Sequence, residues 1–507
     1  MDDPIHRFRN KMLSSPLELA GTALIVLIAS APIYLVGLVL YNLFLHPLRR
    51  FPGPKLWAAT RIPYTRNHLS GVSPMRILEL HLKYGPIVRV APEMLSINHP
   101  DAMKELRGHR HAGQPEHAKD PIHVAPNAGN ILGATRDAHN RFRRILSHVF
   151  SAQAMAEQEP LIKIYIDKLF ANLKRECDGE TKVIDLLKWY NWTTFDIIGD
   201  LAFGEPFGSL DTSAYHPWVS NIFASIKNIC FSVNASRYPL VAPLLAILVP
   251  KNIKNKWAEH KELSQRSLRK RLDTDTDRPD FVDKMLHARG TKGGEMNFEE
   301  MASTSSLLIV AGSETTATLL SGATYYLATN PDKLAKLTAE VRGAFTTEDD
   351  IGINASSGLP YLLAVLDESL RIYPPVPGPT PRKMAKGGDT IIGQYIPEDT
   401  VVDIWQYALY HNPNYISEPE SFIPERWLGD ERYKGDRLEA VQPFSLGPRN
   451  CIGKNLAYAE MRMILARIVW NFDLSIAPQS KNWPTDNKVY FLWEKPPLEV
   501  ALTPRKF

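Results

Sequence analysis

The chain has 507 residues, 44% of them hydrophobic and 22% charged, with 29 glycines spread along it. That balance excludes a disordered or collagen-like polymer and supplies ample apolar material for a large core. The 59 Lys and Arg stand against 55 Asp and Glu, a net charge of only +4, so no basic field argues for nucleic acid as a partner.

The first element in chain order is a membrane span. Residues 19–45 carry no charged side chain, and as a helix they would run about 40 Å, more than a ~30 Å hydrocarbon layer. Ala29-Ser30-Ala31 has the look of a processing site, but the apolar run continues past it, longer than the ~7–15 residues of a signal core. Arg7, Arg9 and Lys11 precede the span; Arg49, Arg50, Lys55, Arg61 and Arg66 follow it. The positive-inside rule therefore places the large carboxy-terminal part in the cytosol. There the sequons at Asn191, Asn234 and Asn354 would never meet glycosylation, and the sparse cysteines suit a reducing compartment. The expected division is an anchor over 1–46, a Pro-rich connector over 47–56 and one globular domain over 57–507. Phe51-Pro52-Gly53-Pro54 makes the connector stiff and poor in hydrogen bonds.

The globular part reads as mostly α with small β-sheets. Ser73-Pro74 opens a helix that ends at Tyr84-Gly85. Ile87 to Val90 and Leu95 to Ile97 read as a hairpin, and long amphipathic helices dominate from about 136 to 330. Residues 387–405 return to strands, and 489–503 supply a final strand pair. No alternation of strand and helix demands a doubly wound sheet. Asn297 and Glu300 carry a capping-box signature and Asn330-Pro331 closes the pattern, giving a helix of about 30 residues. Its middle, Leu307 to Gly312, is apolar on every side, so it should cross the core. Ser313-Glu314-Thr315-Thr316 follows directly. A carboxylate and hydroxyls in a buried helix are costly unless they perform a task.

Cys177, Cys230 and Cys451 are too few and too scattered for a disulfide framework or a four-cysteine zinc site. The last lies in Phe444-Ser445-Leu446-Gly447-Pro448-Arg449-Asn450-Cys451-Ile452-Gly453, with Ala457 beyond it. This run resembles the haem-binding loop of the cytochrome P-450 haem-thiolate monooxygenases. The opening Phe51 to Trp57 and the stretch Trp192 to Asp196 look like fungal microsomal members that tailor natural products. The resemblance extends from Leu17 to the end. It implies the cytochrome P-450 fold, with haem b held by Cys451 as metal ligand, dioxygen as co-substrate and a small apolar organic substrate. It further implies electrons from NADPH through NADPH-cytochrome P-450 reductase, and a single-pass endoplasmic reticulum protein in contact with membrane lipid. A thiolate ligand pushes electron density onto iron and favours O–O cleavage. Cys451 would be supported by the amino end of a helix over about 452–472. Gly447 and Gly453 would let the backbone turn beside the macrocycle, and the forked Arg449 suits a propionate.

The family's other landmarks follow in order. Glu368 and Arg371, with Arg426 from Phe422 to Trp427, resemble the structural Glu–Arg–Arg triad. His139 and Arg143 stand four apart on one helical face, where relatives often carry Trp-x-x-x-Arg; they and Arg382 are implied propionate contacts. Ala311 to Thr316 resembles the oxygen-activation motif, implying that Gly312 leaves room for dioxygen, Thr315 bonds it or its water, and Glu314 relays protons. His109, His111, His117 and His123 fit no common zinc spacing and read as a polar loop over the pocket. The pocket walls are expected near 107–132 and 205–250, and Lys454 on a basic surface that docks the reductase. Two alternatives stand beside this reading: a haem-thiolate isomerase or dehydratase that needs no external electrons, and a haem sensor. The retained Glu314 and Thr315 favour the monooxygenase.

Overall fold

Helix boundaries fall where proline, glycine and asparagine demand them. In the computed structural model, which describes residues 16–111, 113–127, 129–239, 241–242, 247, 251–274, 278, 280–287 and 295–506, the helices that position the site are these. They are α1 (Pro16–Leu40), α2 (Ser73–Tyr84), α3 (Arg136–Ser147), α4 (Leu186–Phe203), α5 (Pro217–Ala235), α6 (Lys251–Leu272), α7 (Phe298–Thr329), α8 (Pro360–Ile372) and α9 (Lys454–Asn471). Ser73 sits inside α2 and Val72 at its cap, one residue before the sequence expectation. The capping box on α7 forms with both bonds, between Asn297 and Glu300, and α7 runs 32 residues. Pro360 starts α8, its missing N–H costing nothing at a first helical position.

A five-stranded sheet flanks the helices. Its strands are β1 (Ile87–Ala91), β2 (Met94–Ile97), β3 (Ala118–Lys119), β4 (Arg382–Lys383) and β5 (Val401–Asp403), in the order β1-β2-β5-β4-β3. The β2–β5 pairing is parallel and the rest are antiparallel. Register puts Lys119 directly opposite Arg382. The expected last strand pair is corrected: Lys488–Tyr490 pairs with Leu492–Glu494, whereas Glu499–Pro504 joins Lys182–Asp185 and Phe472–Ile476 in a separate sheet.

One large apolar cluster fills the helical part, and two smaller ones lie against the five-stranded sheet. At the centre α7 packs on α4, which buries every side chain except Lys188. Gly312 sets that spacing, since a Cβ there would lie 2.9 Å from Ile198 Cδ1, and Gly322 lets α7 approach the residue after α8, a Cβ there lying 2.6 Å from the Tyr373 ring.

Residues 51–54 lie against the sheet. The β1 residue Arg89 donates its N–H to the Pro52 carbonyl at 2.7 Å, and a Cβ on Gly53 would lie 2.4 Å from the Arg89 carbonyl. Arg89 also donates Nη1 to the Asn42 carbonyl at 2.8 Å, so the globular body already grips the chain from Asn42. Side chains of residues 16–24 and 26–28, much of the expected span, lie outside the described residues. Among the described residues no helix is long and apolar enough to cross a membrane.

Candidate active site

The loop before α9 folds back on itself, with the Cys451 N–H donating to the Phe444 carbonyl at 2.8 Å. Gly447 takes φ 73°, and a Cβ there would lie 2.0 Å from the Arg107 carbonyl, so only glycine fits. Gly453 is different. Its φ is −83° and a Cβ would meet nothing nearer than Phe150 at 4.0 Å. Its contribution is its N–H, which donates to the Cys451 thiol. Phe444 packs on Tyr458 with ring centroids 5.3 Å apart, and the Lys454 ammonium lies 5.6 Å from the Phe444 ring.

Cys451 keeps accessible surface although dense protein surrounds it. Burial pushes its thiol pKa up, against the pull of the Gly453 N–H, Arg143 and Lys454. A bound metal cation would complete that task, because a coordinating thiol is deprotonated outright. Arg143 donates to the Asn450 carbonyl and to Asn450 Oδ1, holding the residue next to the cysteine. It therefore stands apart from the other predicted propionate contacts.

Those others converge. Arg449 donates Nε to Glu116 and Nη1 to the Ala134 carbonyl at 2.9 Å, while Arg382 Nη1 lies 3.6 Å from the same Glu116. Lys119 faces Arg382 across the strands, and Arg107 adds a further positive charge beside Arg382. Like charges directly opposite in a sheet repel. Burial and these neighbours push Lys119 down to about 7 and Arg382 down to about 9. His139 is buried beside Arg449 and Lys119 and falls to about 4, so it is a neutral donor. The Nε atoms of Arg107 and Arg382 are buried without a partner among the described residues. Two arginines share one carboxylate, with Lys119, which donates to the Leu132 carbonyl at 2.7 Å, and Arg107 alongside, a donor set that fits the two propionates of haem b.

Along α7 runs a cavity of about 780 Å³, lined there by Leu307, Val310, Ala311 and Thr315. The Thr315 hydroxyl donates to the Ala311 carbonyl at 2.5 Å. Glu314, one residue earlier, lies on another face. Its Oε1 accepts from the Lys495 ammonium, whose side chain is buried and also bonds Thr318 Oγ1 at 2.7 Å. The missing Cβ of Gly312 is directed at Ile198, so its smallness serves helix packing, and the small residue beside Thr315 is Ala311. From the expected walls, Lys119, His123, Val124, Leu132, Ile226 and Ile229 do line the cavity, joined by Val376, Pro379, Phe491 and Leu492.

Glu368, Arg371 and Arg426 are brought together with no exposed side-chain surface. The Glu368 carboxylate accepts from both arginines, from the Ile423 N–H and from Trp427 Nε1. Arg371 gives its remaining hydrogens to the carbonyls of Tyr410, Pro419 and Ser421, and Arg426 pairs also with Asp436. His117 is held by Asp389 and the Ala385 N–H. Sequence reasoning missed Arg107, Glu116, Lys119 and Lys495. Lone charged residues far from any motif carry no signal until the sheet and the carboxy-terminal segment bring them in.

A cysteine thiol just before a helix start, with buried cations short of anionic partners elsewhere in the interior, is what a flat dianionic iron macrocycle asks of a protein. The class is that of the haem-thiolate enzymes. Comparison with known proteins agrees: the cytochrome P-450 family model matches residues 52–502, and the chain belongs to that family. It is 56% identical to the trichothecene C-15 hydroxylase of Fusarium sporotrichioides over 93% of this chain and 96% of that protein. It is 44% identical to the monooxygenase astA of Talaromyces wortmannii, over 96% and 99% of the two chains. It is 44% identical to the averantin hydroxylase of Dothistroma septosporum, over 92% and 89%. The chain is an oxidoreductase, a haem-dependent monooxygenase of the kind that performs tailoring oxidations in fungal secondary metabolism.

Proposed function

We propose that the protein hydroxylates a compact, largely apolar natural-product intermediate, using O2 and electrons passed from NADPH by NADPH-cytochrome P-450 reductase. The observation that carries this reading is the cavity along α7, apolar over most of its wall and bearing the Thr315 hydroxyl. Two of the relatives above are hydroxylases by name, which supports this reaction over isomerisation or haem sensing. Cys451 would ligate the iron, and Arg107, Lys119, His139, Arg382 and Arg449 would hold the propionates. When bound, haem b supplies dioxygen activation, with the thiolate pushing electron density onto iron. Thr315 holds a proton at Oγ1 on the cavity wall, and Glu314 and Lys495 stand behind it as a buried charged pair from which protons are relayed. The apolar wall keeps bulk water from the reacting carbon.

The same proposal places the protein in the endoplasmic reticulum membrane with its catalytic domain in the cytosol. The support is α1 and the turn after it, which expose Ile33, Leu35, Val36, Phe44 and Leu45. Exposed Lys454, beside the cysteine loop, suits an acidic reductase surface. Replacing Cys451 with Ser tests the core of this reading. It should abolish the ferrous–CO band expected near ~450 nm for a thiolate ligand; persistence of the band would overturn the assignment. Removing residues 1–40, which leaves Asn42 in place, should move the protein from the membrane fraction to the soluble one with haem retained.

A further inference from the structure

On the monooxygenase reading, the cavity would need only apolar walls, yet it also carries a relay of oriented hydrogen bonds. Trp218 on α5 donates its indole N–H to Nδ1 of His260 on α6 at 2.6 Å. An indole nitrogen can only donate. Nδ1 therefore carries no hydrogen, and the neutral ring holds its proton on Nε2. That nitrogen lies 2.7 Å from Ser306 Oγ on α7, so the imidazole donates and the serine accepts. Burial lowers the His260 pKa, in keeping with a neutral ring.

A hydroxyl that accepts one bond still has its own hydrogen to give. In a helix the usual taker is the carbonyl four residues back. Ser313, Thr315 and Ser321 of the same helix all make that bond. At Ser306 the corresponding carbonyl, Ala302, is taken by Ser264 Oγ at 2.9 Å. Ser306 and His260 both line the cavity, together with the apolar side chains of Val124, Leu132 and Phe491.

We propose that Ser306 is a specificity-determining donor, and that the substrate is a mainly hydrocarbon molecule already carrying a neutral oxygen acceptor, such as a ketone, ether or epoxide. This rests on the monooxygenase reading and adds what the cavity prefers. Ser306 stands nine residues before Thr315, about 13 Å along the helix axis at 1.5 Å per residue. The acceptor oxygen therefore binds at the end of the molecule remote from the carbon that is oxidised.

The test is calorimetric titration of the haem-loaded full chain in detergent with two probes of matched shape, adamantane and adamantan-2-one. The wild type should bind the ketone about tenfold more tightly, as one added hydrogen bond implies. Ser306→Ala should erase that preference while leaving the hydrocarbon's affinity unchanged, which also shows the cavity intact. His260→Phe should lose about a third to a half of the preference, since the hydroxyl stays but is no longer oriented. Equal affinity of the wild type for both probes, including no binding of either, would overturn the inference, and so would a preference that survives in Ser306→Ala. A ferrous–CO spectrum on the same sample separates the two readings. The thiolate band without ketone preference sinks only this inference, and preference without the band sinks only the haem-thiolate assignment.

Discussion

Two buried groups of arginines differ in one respect: one is finished and the other is not. Around Glu368, the charges of Arg371 and Arg426 are balanced by Glu368 and Asp436, and the remaining donors are spent on carbonyls. Around Glu116, Arg382 and Arg449 share one carboxylate with Lys119 and Arg107 nearby, and two guanidinium nitrogens have no partner among the described residues. Burying a charge is tolerated when its field is closed locally. The first group therefore closes its own charges, whereas on the proposed function the second would be a socket whose neutralising charge comes with a ligand.

That contrast can be broken by substitution. The largest effect is expected at Glu368→Gln, which leaves two fully buried guanidiniums without their central carboxylate. A loss of at least ~3–5 kcal/mol is expected, read as failure to accumulate folded protein or as a collapsed melting transition. Lys495→Met should come next, because it strands Glu314 in the core. A stability loss of about 3 kcal/mol should accompany a drop in coupled turnover, seen as peroxide released per NADPH consumed. In the unfinished group the sign reverses. Arg382→Met should leave the apoprotein's melting temperature unchanged or raised, while haem passes to an acceptor apoprotein about tenfold faster. A clear loss of apoprotein stability would show that the second group is structural too.

The smallest effect concerns pH. Lys119 has a folded pKa of about 7, below the ~10.4 of an unfolded lysine. Between the two values the unfolded chain holds a proton that the folded chain lacks, so this group's contribution to stability rises with pH across that window. Lys119→Met apoprotein should melt above the wild type below pH 7, and the gap should close as pH climbs towards 10. A constant gap would mean that Lys119 is not buried among cations.

Much of this was legible in the residues. The cysteine loop, the capped core helix, the triad and the break at Glu314-Thr315 all show as short patterns, because turns, caps and i to i+4 neighbours are local chemistry. The role expected of Gly312 was not settled by its motif, since the Cβ direction depends on how α4 approaches α7. Nor did the Pro-rich segment show that β1 would take up its carbonyl at Pro52.

The order of residues by itself determined the family, the cysteine loop and a mostly helical body, since each rests on spacing within a few turns of chain. Tertiary structure alone decided that Lys119 faces Arg382, that Lys495 closes on Glu314 and that His260 orients Ser306. The partners in these pairs lie dozens to hundreds of residues apart. They meet only because strand register and helix packing bring their side chains into one volume, where low dielectric makes each charge and each hydrogen count.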